Sequence, residues 1–453
     1  NMDVASVEIP AEIAGKRVTS IGDNAFRDCT SLTEITIPDS VTSIGEYAFY
    51  KCTSLTEITI PDSVTNIRVG AFCGCTSLKK IVIPDGITSI EGSVFYGCTS
   101  LTEITIPDSV TSIWSSAFRG CSSLTEITIP DRVTSIGDSA FYSCTSLTEI
   151  TIPDSVTNIE GFVFTDTPWL TAKQEENPLV ILNGTLIDGT TCTGSVTIPD
   201  GVTSIAGGAF DSCTGLTAIA IPKSVTSIGD SAFYRCTSLT EITIPDSVTS
   251  MGDYVFDGCT GLTKVTMPDS ITSISDYAFR SCTGLTEVTI PDGVADIGIQ
   301  AFYNCSNLKT IFIPKSVTAI RENAFQNTAW MEAKKAENPM VIVNAILLNG
   351  EGCSGNVTIP NTVKIVSGSA FFGCTELTGV VIPDSVTIIG DSAFSSCPKL
   401  TSVSVPDSVT SLGGSVFSGC SALTEAVVPA GITEIGEYLF WGCTSLEKVQ
   451  LPE

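Results

Sequence analysis

Apolar and polar residues follow one another along this chain in a unit that repeats every 23 residues. The stretch LTEITIPDSVTSI fills residues 32–44 and returns unchanged at 101–113, and its proline recurs at positions 38, 61, 84, 107, 130 and 153. Two larger proline intervals, 153 to 199 and 314 to 360, are each 46 residues, which is twice the period. A fixed period between 20 and 50 residues is typical of stacked structural repeats.

Each unit, called a rung below, predicts a short strand followed by a turn and a second extended stretch. In the rung that begins at Leu55, Ile58 and Ile60 share one face of a strand, because side chains alternate between the two faces. Pro61 ends the strand, since it cannot donate a ladder hydrogen bond. The further inward positions are Val64, Ile67, Ala71, Phe72 and Cys75. One rung cannot bury such a face alone, so we expect neighbouring rungs to cover it.

The consensus L-x-x-I-x-I-P-D-S-V-T-S-I-G-x-x-A-F-x-x-C closely resembles the BspA-type leucine-rich repeats of bacterial cell-surface proteins, with proline where many leucine-rich repeats have asparagine. The resemblance covers essentially the whole chain. It implies a mostly β repeat solenoid, a right-handed, curved array of about twenty 23-residue rungs. It also implies export to the cell surface or secretion, and adhesion to host proteins. The resemblance supplies no shared catalytic motif.

Two matching segments interrupt the repeat at 164–199 and 325–360, and they begin 161 residues apart, which is seven periods. In the first, 167–177 predicts a helix capped by Thr167 or Asp166, and Asn183-Gly184 predicts a hairpin turn. The second segment has Asn344-Ala345 at the equivalent place, where the turn is less strongly indicated. We interpret both segments as irregular double rungs. The alternative is a ligand ledge formed by their tryptophans, Trp169 and Trp330.

The interruptions divide the predicted solenoid into three sub-arrays within one continuous stack. The first, 1–164, includes an expanded N-terminal rung; the second, 165–325, and the third, 326–453, each start with an irregular rung. Residues 1–20 carry a five-residue expansion and are expected to cap the stack. The sequence stops partway through a rung at 451–453, and we expect more protein to follow.

Charge and composition exclude several classes of function. The net charge is −27, with 49 acidic and 22 basic residues, which argues against nucleic acids and anionic membranes as partners. No apolar run approaches the roughly 20 residues that cross a bilayer, so we expect no membrane insertion. The chain has no histidine, which removes histidine-based triads and histidine–metal sites. We therefore expect no enzyme activity, no cofactor, no metal and no catalytic residues.

The sequence contains 18 cysteines, and fifteen of them occupy the same position of the repeat. A column of thiols spaced 23 residues apart does not converge on one point, as a zinc site would require. Disulfides between neighbouring rungs are geometrically conceivable, because stacked Cα atoms near 5 Å fall within the bonding range. We favour a ladder of buried thiols that behave as small apolar side chains.

The outward positions of the first strand of each rung form the expected concave face, which is mostly Glu and Thr. The candidate ligand-facing residues on it are Glu57, Lys80, Val82, Glu103, Glu126, Glu149, Glu241, Lys264, Glu287 and Phe312. The pattern also breaks at Ala218, Ala220, Thr310, Val381, Ala426 and Val427. The aspartate after each proline is expected to cap its own turn. A divalent-cation ladder is a weaker alternative, because no calcium-loop motif is present.

Two kinds of function remain open. The first is a non-catalytic, monomeric binding or adhesion module whose partner is an extracellular protein or glycan of a host or neighbouring cell. The second is a structural spacer that projects another domain of a larger surface protein. The uniformity of the outward face favours the spacer, because specific recognition normally requires residues that differ from rung to rung. Phe312 is the clearest of the broken positions, and we expect it to contact the following irregular rung, with a ligand contact as the alternative.

Overall fold

Each 23-residue rung closes one turn of a solenoid in the computed structural model. The structure describes residues 4–450, which form a mostly β solenoid of about 19 turns with two helices, so the predicted fold class is confirmed, with slightly fewer turns than the twenty expected. The outermost bounds of the predicted sub-arrays and the expected truncation at 451–453 lie outside the described residues.

Two strands form in most rungs. The first carries the L-x-x-I-x-I motif, and these strands are Ser6–Glu8, Glu34–Thr36, Glu57–Ile58, Lys80–Val82, Glu103–Thr105, Glu126–Thr128, Glu149–Thr151, Gly194–Thr197, Leu216–Ala220, Glu241–Thr243, Lys264–Thr266, Glu287–Thr289, Thr310–Phe312, Gly355–Thr358, Leu377–Val381, Ser402–Ser404, Glu425–Val427 and Lys448–Gln450. The second has two residues in the regular rungs and four in the irregular segments, and these strands are Ser20–Ile21, Ser43–Ile44, Asn66–Ile67, Ser89–Ile90, Ser112–Ile113, Ser135–Ile136, Asn158–Ile159, Thr185–Asp188, Ser204–Ile205, Ser227–Ile228, Ser250–Met251, Ser273–Ile274, Asp296–Ile297, Ala319–Ile320, Ile346–Asn349, Ile365–Val366, Ile388–Ile389 and Ser411–Leu412.

Parallel pairing joins residues one period apart. Ile58 pairs with Ile81, and Ile389 pairs with Leu412, so each inward residue lies over the same position of the next rung. This register is the stacking that the sequence predicts. At the N-terminus, Ser6 pairs with Glu34, and a small hairpin of Glu12–Ile13 and Lys16–Arg17 accommodates the five-residue expansion.

The chain divides into two compact units, which are described separately below. Unit 1 comprises Asn1–Cys192, Ile198–Asp211 and Ser227–Ala232; unit 2 comprises Thr193–Thr197, Ser212–Thr226 and Phe233–Glu453. The predicted division into three sub-arrays remains a prediction. In unit 1, Leu55, Ile58, Ile60 and Phe72 are all buried, as the repeat pattern requires.

Stacked phenylalanines run through the interior of each unit. In unit 1 the ring centroids of successive phenylalanines from Phe26 to Phe164 are 5.3–5.9 Å apart, within the range of favourable aromatic contacts. Trp169 ends this stack with its centroid 4.7 Å from that of Phe164, and in unit 2 Trp330 lies 5.3 Å from Phe325. The two tryptophans are only 7% and 8% exposed. They pack beneath the irregular rungs, so the alternative of a tryptophan ledge is wrong.

The cysteine column forms a ladder of buried thiols, as favoured from the sequence. In most rungs Sγ donates to the carbonyl oxygen of the phenylalanine 26 residues earlier, for example Cys75 to Phe49 at 3.1 Å and Cys282 to Phe256 at 3.1 Å. Cys374, which follows an irregular segment, donates to the carbonyl of Gly350 at 3.4 Å instead. The phenylalanine carbonyl also accepts the backbone N–H of the cysteine in its own rung, as Phe49 does from Cys52 at 3.1 Å. Cysteine therefore fills a small apolar space and also supplies a second donor to a buried carbonyl.

Helices α1, Pro168–Glu176, and α2, Ala329–Glu337, begin the two irregular segments. Thr167 caps α1, and its hydroxyl accepts the N–H of Leu170 at 3.1 Å. The predicted hairpin of unit 1 is confirmed and consists of Val180–Leu182 and Thr185–Asp188. Unit 2 has the same hairpin, Val341–Val343 with Ile346–Asn349, although its turn contains no glycine.

The turn after each proline is closed by the backbone rather than by the aspartate. In one such turn the N–H of Val41 donates to the carbonyl of Pro38 at 3.0 Å, while the side chain of Asp39 is exposed. The hydroxyl of Ser63 then donates to the carbonyl of Val41 in the preceding rung at 2.7 Å. The serine therefore links neighbouring turns, a role that we had not predicted.

Two positions in each regular rung have left-handed backbone conformation. They are the second variable residue of I-G-x-x-A, such as Tyr47 (φ 53°), and the second variable residue of F-x-x-C, such as Lys51 (φ 55°). Serine, asparagine, aspartate and glycine dominate these positions along the chain because most larger side chains are strained there. The first variable residue of F-x-x-C, by contrast, has an ordinary backbone conformation, so the backbone does not restrict its side chain.

Candidate functional site

The strand face is defined here as the outward first and third residues of the first strand of each rung. In unit 1 it contains Glu57, Lys80, Glu103, Glu126 and Glu149, all exposed. The register places Lys80 between Glu57 and Glu103, and it places Glu126 beside Glu149. The structure therefore brings the five charged residues predicted for unit 1 into one column.

Lys80 partly neutralises this column. Its Nζ lies 2.6 Å from Oε1 of Glu103, although both side chains are more than 60% exposed, so the ion pair contributes little to stability. Val82 is exposed beside it in the third position of the strand. A shallow groove of about 610 Å³ follows the face and is lined by Lys80, Val82, Glu103, Glu126 and Glu149, together with threonines. Carboxylates and hydroxyls therefore dominate this surface, which is formed by two short parallel sheets that lie side by side.

In unit 2 the strand face contains the remaining four candidates. Glu241 pairs with Lys264, and Glu287 pairs with Thr310, so a cation again interrupts the acidic column. Phe312 pairs with Thr289 and is 55% exposed. All ten predicted residues are therefore on the surface.

Two depressions in the unit 2 strand face follow the irregular segments. One, of about 680 Å³, includes Ala218 and Ala220 beside Glu241. The other, of about 470 Å³, includes Gly379 and the exposed Val381. The sequence pattern indicated the alanines and Val381 but missed Gly379. Ala426 was wrongly placed on the outward face: it lies in the inward column and is buried, because it occupies the second position of its strand.

The family of the chain follows from its repeats. The model of the BspA-type leucine-rich-repeat region matches it at residues 3–121, 88–216, 203–332 and 350–453. The chain belongs to the BspA-type leucine-rich-repeat family. No functionally curated protein shows significant similarity to this BspA-type chain.

Several solved structures resemble the BspA-type chain. A leucine-rich repeat protein from Bacteroides ovatus ATCC 8483 is 30% identical, with 98% of this chain and 86% of that protein covered and a TM-score of 0.31. The T. pallidum leucine-rich repeat protein is 34% identical, with 38% of this chain and 82% of that protein covered and a TM-score of 0.35. A leucine-rich cell surface protein from Faecalibacterium prausnitzii A2-165 is 25% identical, with 99% and 88% covered and a TM-score of 0.24. Sequence identity and the repeat pattern, not the low TM-scores, establish the relationship.

The variable residues of I-G-x-x-A and F-x-x-C in the BspA-type rungs include arginines that lie over aromatic rings. The guanidinium of Arg119 lies 4.4 Å from the ring centroid of Tyr142, which is one rung away. In unit 2, Arg280 donates from Nε and Nη2 to the buried carboxylate of Asp257 at 3.1 and 2.7 Å, and it also lies over Tyr277. These contacts satisfy side chains from neighbouring rungs, so we assign them to stability.

The described part of the BspA-type chain has no arrangement expected of a metal centre. Among residues 4–450, no group of three or more cysteine, aspartate and glutamate side chains is placed to hold a metal ion. Neither described helix is long and apolar enough to cross a membrane.

Each irregular segment borders a polar cleft that sequence reasoning missed. The cleft in unit 1 has a volume of about 340 Å³ and lies beside α1; the cleft in unit 2 has a volume of about 300 Å³ and lies beside the hairpin that follows α2. Asp188 of the first cleft is buried, which raises the pKa of its carboxyl, while hydrogen bonds from Gln174 and Thr190 oppose this rise. The available sequence signal was the interruption of the repeat itself, since both clefts lie beside the irregular segments.

Proposed function

We propose that this chain is a non-catalytic binding module, displayed on a bacterial cell surface or secreted, that holds an extended extracellular partner along its strand face. The partner favoured by charge is a protein segment that presents lysine and arginine; a glycan is the other class consistent with a hydroxyl-rich surface. The family membership and the cell-surface description of the Faecalibacterium prausnitzii relative support display outside the cell.

The observation that carries the proposal is the exposed acidic column of unit 1. Glu103, Glu126 and Glu149 follow one another on adjacent strands within one groove. Like carboxylates on neighbouring strands repel one another by about 1 kcal/mol in water. A cationic partner would relieve this repulsion, and complementary charge mainly improves the rate and specificity of association.

The test measures binding of the purified chain to immobilised extracellular-matrix proteins and mucin, with polylysine as a control for nonspecific charge effects. We expect saturable binding to at least one matrix protein, weakened at least tenfold by the double variant Glu103→Lys/Glu126→Lys. The matched control, Glu175→Lys/Asp200→Lys, changes the net charge equally at exposed positions outside the strand face. Equal losses in both double variants, or binding to polylysine alone, would contradict a specific strand-face site.

The second candidate is a spacer that projects another domain from the surface. The near-identity of successive outward strands, Glu-Ile-Thr in many rungs, favours it, because a uniform face offers few unique contacts. If no protein or mucin in the panel shows saturable binding, the spacer becomes the better account.

A further inference from the structure

The cleft of unit 2 combines one exposed aromatic ring with uncharged and acidic hydrogen-bonding groups. Phe372, Glu322, Asn323, Gln326, Asn349 and Glu351 are among its lining residues. The volume of about 300 Å³ reaches the lower end of the range of small-molecule sites. None of the ten strand-face candidates lines it, so it is a second surface with its own chemistry.

Phe372 supplies the apolar part of the cleft. It is 53% exposed, although an exposed aromatic ring costs free energy in water. It occupies the first variable position of F-x-x-C, where the backbone imposes no side chain, and the rung that follows has Ser395 there. The ring therefore has no evident role in the core, which is filled by its neighbour Phe371.

Hydrogen bonds hold the acidic groups of the cleft in place. Glu322 accepts from the hydroxyl of Ser369 at 2.6 Å and from the amide of Asn323 at 3.1 Å, both through Oε1. Its carboxylate can accept further hydrogen bonds, since two oxygens offer about four acceptor sites. Glu351 is paired with Lys335, whose Nζ lies 2.7 Å from Oε2. One of the two carboxylates is thus already neutralised within the protein.

The ligand that fits this set has an apolar face and an edge of hydroxyl groups. We propose that the unit 2 cleft binds one neutral pyranose unit of a glycan, with the C–H face of the sugar against Phe372. The carboxylate of Glu322 accepts hydrogen bonds from the sugar hydroxyls, and the amide N–H groups of Gln326 and Asn349 donate to their oxygens. Acidic sugars are excluded by repulsion from Glu322.

The cleft of unit 1 provides a comparison within the same chain. It occupies the equivalent place 161 residues earlier, but Asp211 stands where unit 2 has Phe372, and Asp188 stands where unit 2 has Asn349. This cleft is more acidic and its aromatic rings are Tyr142 and Phe162. The proposal therefore assigns neutral sugar binding to unit 2, and we expect Phe372→Asp, which makes the second cleft resemble the first, to abolish it.

The experiment uses the full chain with neutral hexasaccharides of glucose, mannose, galactose and xylose, and with polygalacturonate as the acidic arm. Saturation-transfer NMR and calorimetry would detect binding, both to free oligosaccharides and to neutral polysaccharides. We expect saturable binding to at least one neutral sugar and none to polygalacturonate. Phe372→Ala should weaken binding of the neutral sugar at least tenfold, and Gln326→Ala should weaken it threefold or more. Phe372→Tyr should retain the binding.

Trp441 provides the matched control, because it lies in the same F-x-x-C position and is 68% exposed. Trp441→Ala should change the dissociation constant less than twofold. Absence of saturable binding to every neutral sugar, or equal losses in Trp441→Ala and Phe372→Ala, would overturn the proposal. Loss of binding in Glu103→Lys/Glu126→Lys would instead place the sugar on the strand face. The strand-face proposal stands or falls separately on its protein panel.

Discussion

Replacing Phe118 by alanine would remove one ring from the middle of the unit 1 phenylalanine stack. The side chain is fully buried, and its centroid lies 5.4 Å from Phe95 and 5.3 Å from Phe141. Truncating a buried phenylalanine typically costs about 3–5 kcal/mol. In a repeat protein the loss falls on the interfaces with the two neighbouring rungs, so we expect local opening before global unfolding.

The buried cysteines report this opening directly. Cys121 lies in the same rung as Phe118, and the thiol of Cys144 donates to the Phe118 carbonyl at 3.1 Å. Alkylation by iodoacetamide, quantified for each cysteine by mass spectrometry, measures how often each thiol becomes accessible. A cost of about 3–5 kcal/mol corresponds to labelling roughly 150 to 5,000 times faster at these two thiols. Cys397 of unit 2 serves as the internal control.

Phe118→Leu is the matched variant, since a mostly volume-conserving replacement should cost about 1.5 kcal/mol or less. Acceleration of less than tenfold at Cys121 and Cys144 in Phe118→Ala would show that the ring stack contributes little to local stability. Equal acceleration at Cys397 would show that opening spreads along the whole chain, and it would refute the nearest-neighbour reasoning.

Three further predictions concern single side chains. Arg280→Leu leaves the buried carboxylate of Asp257 without its two guanidinium hydrogen bonds and should lower the free energy of unfolding in urea by about 1–3 kcal/mol. Adding Asp257→Asn to Arg280→Leu should restore part of this loss. No restoration would contradict the assignment of this ion pair to stability. Burial raises the pKa of Cys144 to about 12 from 9.0, so the contribution of this thiol to the free energy of unfolding is complete below pH 9 and falls by about 1.4 kcal/mol per pH unit between pH 9 and 12. The free energy of unfolding of Cys144→Ala should therefore fall less steeply than that of the parent between pH 9 and 12. Parallel plots of unfolding free energy against pH for the two proteins would refute the reasoning. Gly70→Ala puts a Cβ 2.3 Å from the ring of Tyr47, at a residue with a φ of +65°, and should lower the melting temperature. Adding Tyr47→Ala should recover the part of the decrease that the clash causes. Equal melting temperatures for Gly70→Ala and the parent would contradict this prediction.

The repeat pattern predicted those parts of the fold that depend on local spacing. Ile58 and Ile60 lie inward, Thr167 caps α1, and Asn183-Gly184 forms a hairpin, because each depends on residues close in sequence. The Asn344-Ala345 hairpin was less certain, since Ala345 must adopt a φ of 66°. Contacts distant in sequence hold both hairpins, because the amides of Asn183 and Asn344 each donate to two backbone carbonyls, 30 and 27 residues earlier. Local spacing does not reveal these contacts, and they help the turn without glycine to form.

The candidate site was less predictable because a binding surface depends on what surrounds it. Periodicity identified Phe312 and Lys80 as outward residues, and both are exposed. It gave no account of Phe372, whose cleft is assembled from residues that range from Glu322 to Ser392. Such groups come together only when an irregular segment changes the path of the chain between regular rungs. The pattern reveals where the repeat breaks but not which side chains meet there.

The two irregular segments have a consequence for how the length of this protein can change. Each occupies a whole number of periods, and the ring pair Phe164–Trp169 in one matches Phe325–Trp330 in the other. A duplication or deletion of one 161-residue block between them would join surfaces that already fit each other. Gene recombination could therefore lengthen or shorten the protein in seven-rung steps and keep the same kind of interface at each junction.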